Sequence, residues 1–283
     1  ARRFAVPIVG SFHVYPENFL APFPALDKPI FNRILYSLFD CSVYSYCDAI
    51  HAPTEAVKER LQAVGYQAPI TAFSASIRTE KSISRDAVKV ADSRSRCTRD
   101  GNTRFTLVCT GRLVPEKNHA VLLQALAYSR NSGSIDLHLA GGGPLEHDLH
   151  KLATPLASQV HIGFIPHNDL IALLDRADLY IHCALVEIEG LAVLEAMARG
   201  CTPILARSAQ SSTWHYSLDS RNIFDARNPR RLAALIDYWL EHPLQRTELS
   251  ARYNLLARHL EINHSIDAIE GLLMQTFRNY RRG

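Results

Sequence analysis

Two glutamates, Glu187 and Glu195, stand eight residues apart in the stretch VEIEGLAVLEAMARGCTPIL, with Gly190 between them and Gly200 beyond. A carboxylate accepts two hydroxyl hydrogens at once, which suits a vicinal diol or a set of sugar hydroxyls. Glu187 precedes a helix that begins at Gly190 and Leu191, where free backbone N–H groups and the positive end of the helix dipole favour an anion. Glu195 falls on the second turn, inside the apolar run Leu191, Ala192, Val193, Leu194, Ala196 and Met197, where an idle exposed carboxylate is out of place. The alternative is a capping glutamate followed by a surface one.

Three more stretches carry candidate chemistry. TGRLVPEKNH sets Arg112 and Lys117 just past the β-branched, apolar run Phe105–Thr110. Two cations at the carboxyl end of a strand suit a diphosphate, since charge-assisted hydrogen bonds contribute roughly 1.5–3 kcal/mol each; solvated surface charges are the alternative. AGGGPLEHDL places Gly141, Gly142 and Gly143 between a strand and a helix, where a ligand can approach the backbone, although a tight turn explains them equally. In GFIPHNDL, Gly163, Phe164 and Ile165 follow another strand, and Asn168 or Asp169 suits a helix cap. Exposed backbone there suits pairing with a nucleobase; a plain loop is the alternative.

The elements that position these residues alternate through the second half of the chain. RFTLVCTGRL, IDLHLAGGG, VHIGFI, DLYIHCA and CTPILA read as strands, and NHAVLLQALAYSR, LEHDLHKLA, NDLIALLDRA and LAVLEAMARG as the helices between them. Helices follow from Arg230 to about His242 and from Pro243 onward. Such units predict an α/β fold, a parallel sheet clothed in helices, with ligands at the carboxyl ends of its strands. The first block is shorter. Strands VPIVGSF, AIHAP and ITAFSA flank a helix from about Ile30 and another opened by Thr54, an N-cap without a capping box. It reads as part of a second Rossmann-like domain, with Thr54 and Glu55 structural. The predicted division is residues 1–80, a polar linker 81–103, a nucleotide-binding domain 104–262 and a final helix 263–283.

Composition narrows the classes. The chain has 283 residues, 47% hydrophobic and 21% charged, which is ordinary for a globular protein of one large or two medium domains. A net charge of +3, without a basic stripe or interleaved aromatics, argues against nucleic acid. No membrane-span-length apolar run or signal peptide is visible. Six scattered cysteines without CxxC pairs point to buried thiols in a reducing, cytoplasmic setting. A dinucleotide oxidoreductase would need G-x-G-x-x-G and a spaced acidic residue, and neither is present.

GRLVPEKN, AGGGP and EIEGLAVLEAMARGCTPIL, in this order and spacing, resemble the retaining glycosyltransferases of family 4, of the GT-B fold with two Rossmann-like domains. The likeness runs from about Pro7 to the end, and the E-x7-E signature falls on Glu187 and Glu195, with Glu187-Ile188-Glu189-Gly190 in place of the common E-G-F-G. The resemblance implies transfer of a hexose from a nucleotide sugar to an acceptor hydroxyl of a lipid or glycan. Arg112 and Lys117 would hold the diphosphate, with no obligatory metal or other cofactor. Glu195 would bind the ribose, Glu187 the donor sugar, Gly142, Gly143 and the amides of Gly190 and Leu191 the sugar or phosphate, and the backbone at Ile165 the base. In GSFHVYPENF, His13 matches the histidine that lies over the donor sugar, and Pro16, Glu17 and Asn18 fall on the acceptor side. The acidic subtype favours a UDP-glucose-like donor, with GDP-mannose the alternative, and a lipid acceptor implies peripheral contact at the inner face of a membrane. The family's final helix crosses back to the N-terminal domain. Two departures stand out: Ser74-Ala75-Ser76 replaces S-N-G, and the family's first strand and glycine-rich loop have no counterpart before Ala1. The expected chain therefore lacks the start of its N-terminal domain, and a non-catalytic nucleotide-sugar-binding remnant is the alternative function.

Overall fold

A computed structural model describes residues 6–20, 28–74, 96–97, 103–260 and 262–281. They form two units: 6–20, 28–74, 260 and 262–281 in one, 96–97 and 103–259 in the other. Most of the stretch read as a linker lies outside the described residues. Within it, Arg96–Cys97 (β4) pairs antiparallel with Thr103–Arg104.

In the smaller unit, β1 (Val9–Ser11), β2 (Ala49–Ala52) and β3 (Ile70–Ala72) form a parallel sheet in that order. Every residue of β2 is buried, as expected of a central parallel strand covered on both faces. The helices are α1 (Pro16–Leu20), α2 (Pro29–Ser42), α3 (Glu55–Val64) and, from the far end of the chain, α10 (Ile262–Tyr280). Thr54 Oγ1 accepts the Val57 amide at 3.2 Å, and Gly65, at φ 101°, closes α3 in the left-handed conformation that glycine adopts without steric cost. Phe12 stacks on Tyr36 and meets Tyr66 edge-on, both at 6.3 Å between centroids. Pocket-lining residues Asp48, Thr71, Leu272, Gln275 and Thr276 mark where α10 faces β2 and β3, and Ser265 Oγ donates to the Ser74 carbonyl at 2.6 Å.

The larger unit holds the predicted parallel strands β5 (Thr103–Thr110), β6 (Ile135–Ala140), β7 (Gln159–Gly163), β8 (Leu179–His182) and β10 (Thr202–Arg207). It adds β12 (Ile223–Asp225), whose three residues carry too little periodicity to be read from sequence. Sheet order is β12-β10-β8-β5-β6-β7. The chain runs outward from β5 through β6 to β7, then returns to lay β8 on the other side of β5. That reversal opens a crevice between the carboxyl ends of β5 and β8, the position where doubly wound sheets bind ligands. Asp178 ties the amino ends of the same two strands: its Oδ2 accepts the Thr106 amide at 2.9 Å and its Oδ1 accepts Arg246 Nη2 at 2.8 Å.

The helices are α4 (His119–Tyr128), α5 (Glu146–Ala153), α6 (His167–Leu174), α7 (Leu191–Ala198), α8 (Pro229–Glu241) and α9 (Pro243–His259). α4 packs on α8, and α7 on α9. Asn228 caps α8 through the Arg231 amide at 2.9 Å, with Pro229 at the first helical position. Cys109, Cys183 and Cys201 are buried free thiols, whereas Cys41 is exposed. Among the described residues no helix is long and apolar enough to cross a membrane.

Candidate functional site

The loop after β5 turns at Gly111, buries Leu113 and makes a short 3-10 turn, Pro115–Lys117. Asn118 then takes a left-handed conformation at φ 55°, one of the few non-glycine residue types that does so readily. Its Nδ2 donates to the Ala226 carbonyl at 2.8 Å and, more weakly, to that of Cys183 at 3.4 Å, fastening the turn beside the ends of β12 and β8. Lys117 is thereby aimed across the crevice, and its Nζ donates to Glu187 Oε2 at 2.5 Å.

Glu187 itself lies on β9 (Val186–Glu187), a two-residue strand paired with β11 (Gln210–Ser211) rather than in an open loop. The Ser212 amide donates to its carbonyl at 2.9 Å, which orients the side chain. His182, the last residue of β8, brings Nε2 to 3.4 Å from the same Oε2. Burial pushes the Glu187 carboxyl up, but His182 and Lys117 outweigh it and lower its pKa to about 2. The group is therefore an anion across the physiological range.

Arg112 sits at the mouth of the crevice with its side chain 70% exposed, and its Nη2 lies 3.2 Å from Oε1 of the buried Glu116. Both cations predicted to hold a diphosphate are thus already matched with a glutamate. Of the two side chains, the Arg112 guanidinium is the more exposed, at 70% against 18% for Lys117.

Gly190, at φ 75°, begins α7. A Cβ there would stand 2.3 Å from Thr213 Cγ2, so only glycine fits. No acceptor for the Gly190, Leu191 and Ala192 amides appears among the described residues, while Val193 N bonds back to the Gly190 carbonyl at 2.8 Å. The helix thus presents unsatisfied donors beside Glu187, as the first turn of a helix does. Glu195 is half-buried on the second turn, and its carboxylate makes no hydrogen bond or ion pair among the described residues.

The glycine loop departs from expectation. A Cβ on Gly141 would lie 1.9 Å from the Gly111 carbonyl oxygen, and one on Gly143 would lie 2.6 Å from that of Leu113. These two glycines let the loops after β5 and β6 pack together, backbone on backbone, with Leu113 N bonded to the Gly142 carbonyl at 2.9 Å. Gly142 alone has open space around it and remains accessible to a ligand. Overpacking of this kind costs about 1–3 kcal/mol. Gly141→Ala should lower the urea midpoint accordingly, whereas Gly142→Ala should leave it nearly unchanged.

Ile165 follows β7 as predicted, beside Phe164, which is 81% exposed. Pro166, not Asn168 or Asp169, stands at the N-cap of α6, and those two polar residues lie inside the helix. The segment enters the helix from the extended conformation that proline favours, so no side-chain cap forms.

In the smaller unit, His13 is exposed and part of a chain of contacts. His13 Nε2 lies 2.7 Å from Ser11 Oγ, which lies 2.6 Å from Nδ1 of the buried His51, whose Nε2 faces the Phe73 carbonyl at 2.8 Å. That carbonyl can only accept, so His51 donates to it from Nε2; with a neutral ring, Ser11 then donates to His51 Nδ1 and accepts from His13 Nε2. Glu17 is 3% exposed, and its carboxylate is bound by Arg60 and Tyr36. Pro16 is the buried first residue of α1, and Asn18 Oδ1 accepts the Tyr15 amide at 3.2 Å, so both are turn residues here.

His182, Glu116 and Asn118 were not read from sequence. The available signal was a polar residue at the carboxyl end of an otherwise apolar strand (His182) and the pair flanking Lys117.

Two α/β units built on parallel sheets have the GT-B fold, as the likeness to solved structures shows. A structure of Anabaena Alr3699/HepE in complex with UDP-glucose superposes at a TM-score of 0.75 over 95% of this chain and 72% of that one, at 18% identity. The family model "Glycosyl transferases group 1" matches residues 96–257, and the chain belongs to that family. The catalytic domain of cholesterol-alpha-glucosyltransferase from Helicobacter pylori is 38% identical, over 56% of this chain and 99% of that one, at a TM-score of 0.54. Alpha-monoglucosyldiacylglycerol synthase of Streptococcus pneumoniae is 26% identical over 216 residues, 73% of this chain and 47% of that protein. Mannosyltransferases described as GDP-mannose-dependent also match, over shorter stretches. The chain spans 30–59% of the length of the first curated relatives it matches.

Proposed function

We propose that this protein is a retaining glycosyltransferase of family 4 that moves glucose from UDP-glucose to the hydroxyl of a lipid acceptor. The observation that carries the reading is the meeting of Lys117, Glu187 and the free amides of α7 at the β5/β8 switch point, with the unpartnered Glu195 carboxylate one turn further on. Glu195 takes the ribose diol, Glu187 the sugar hydroxyls, and Lys117, Arg112 and the α7 amides the diphosphate. As the sugar–phosphate bond breaks, negative charge grows on the departing diphosphate. Fixed cations and amides stabilise that charge without reorganising, so the protein itself supplies the cationic assistance. The acceptor attacks from the face the diphosphate leaves, and a diphosphate oxygen takes its proton. A double displacement through Glu187 fits less well, because a carboxylate already stabilised by Lys117 and His182 is a weakened nucleophile.

Glucose and a lipid are favoured because two relatives, the cholesterol-alpha-glucosyltransferase at 38% identity and the monoglucosyldiacylglycerol synthase matched over 73% of this chain, are named for them. A lipid acceptor brings the protein to a membrane surface as a peripheral visitor on the cytoplasmic side.

Calorimetric titration with uridine and guanosine diphosphates tests the donor. Uridine diphosphate should bind saturably, and Glu195→Ala and Arg112→Ala should each weaken it by roughly 10–150-fold, the loss of one charge-assisted contact of about 1.5–3 kcal/mol. Preference for guanosine diphosphate would overturn the donor, and unchanged affinity in Glu195→Ala would overturn the role of that carboxylate.

A further inference from the structure

Away from the crevice, Asp136, His138 and His161 meet on one face of the sheet. Asp136 and His138 alternate on β6 and so project to the same side, while Leu137 and Leu139 are buried on the other. His161 on edge strand β7 lies in register with His138, and Asp136 with Gln159, so His161 reaches Asp136 diagonally. Asp136 Oδ1 is 2.9 Å from His161 Nε2 and 3.5 Å from His138 Nε2, and the two rings lie 4.6 Å apart at 17°. One potential ligand atom from each residue falls within 4.8 Å of the others. Asp136 Oδ1 and His138 Nε2 are shielded from solvent and make no aligned hydrogen bond among the described residues.

We propose that this trio is a binding site for a divalent transition-metal ion of the zinc type. Two imidazoles and one carboxylate form a borderline ligand set suited to such an ion, with water completing the shell. Tetrahedral bonds of about 2.1 Å place ligand atoms about 3.4 Å apart, against 2.9 and 3.5 Å from Asp136 Oδ1 to the two rings. The scaffold is two hydrogen-bonded strands, so little ordering is needed on binding, and His161, with its side chain 55% exposed, leaves an entry path. Gly141 lies five positions beyond Asp136, about 16 Å along an extended strand, which sets Asp136 apart from the crevice. Its role is structural: the ion pins edge strand β7, whose carboxyl end carries Gly163–Ile165.

The test is zinc titration of the chelator-stripped, reduced protein by calorimetry, with cobalt(II) absorption as a second readout. One equivalent should bind and raise the melting temperature. His161→Ala and Asp136→Asn should each weaken binding by more than the roughly 10–100-fold that even an outer-shell change costs, while keeping the metal-free melting temperature of the parent. The cobalt form should show a visible ligand-field band without thiolate charge transfer. Absence of saturable binding, equal affinity in His161→Ala, or a thiolate band pointing to the cysteines would each overturn the proposal. None of these readouts depends on glycosyl transfer.

Discussion

Lys117→Met should lower kcat by about 10²–10³, the range seen when one preorganised donor to developing negative charge is removed. In the proposed mechanism the ammonium, held by its 2.5 Å bond to Glu187 and by the Asn118 clamp behind it, is already placed to face the leaving diphosphate. A kcat that holds while only KM rises would show Lys117 binding ground state and transition state alike, and would overturn a catalytic role. The same substitution carries a stability signature. Glu187 has its folded pKa lowered to about 2 from an ordinary 4.5, so its contribution is fully present above about 4.5 and lost as pH falls through about 2. Losing Lys117 leaves His182 as the remaining partner and shrinks that contribution. The stability gap between parent and variant, read by urea unfolding, should therefore be widest at neutral pH and narrow between about 4.5 and 2. A gap independent of pH would mean that the pair contributes nothing through Glu187 ionisation.

Arg246→Met should be the most destabilising single change proposed, about 3–5 kcal/mol, because it strands a carboxylate that is wholly buried. Arg246 also donates to the Trp239 carbonyl at 2.8 Å, which loses its partner at the same time. For a domain of this size the melting temperature should fall by roughly 6–20 °C. Adding Asp178→Asn should recover much of the loss, since no unpaired charge then remains. Asp178 ties β5 to β8 at their amino ends, so the single variant should also weaken nucleotide binding at their carboxyl ends. A melting temperature unchanged within error would mean that water reaches Asp178.

Most of the architecture of the larger unit was legible because its cues are local. The apolar runs of β5, β6 and β8 and the helical spacing of Val121, Leu122, Ala125 and Leu126 each declare an element within a dozen residues. Strands too short to show a period, β9, β11 and β12, were not legible, since two or three residues are defined only by their neighbours. Spacing singled out Glu187 and Glu195, but the partners that lower the Glu187 pKa lie five residues away in His182 and seventy in Lys117. Glu17 shows the same limit: its position in the chain gave no hint that Arg60, 43 residues later, would pair with it.

The sequence by itself determined which segments become strand or helix, and that acids, cations and glycines gather at strand ends, because those properties depend on residue type and short-range periodicity. Only the tertiary structure decided the sheet order that opens the crevice between β5 and β8. It also decided that Gly141 and Gly143 serve loop packing, that each cation already has a glutamate, and that His161 meets Asp136 and His138. All of these depend on register and packing between segments remote in the chain, which burial and hydrogen bonding settle together and no local spacing encodes.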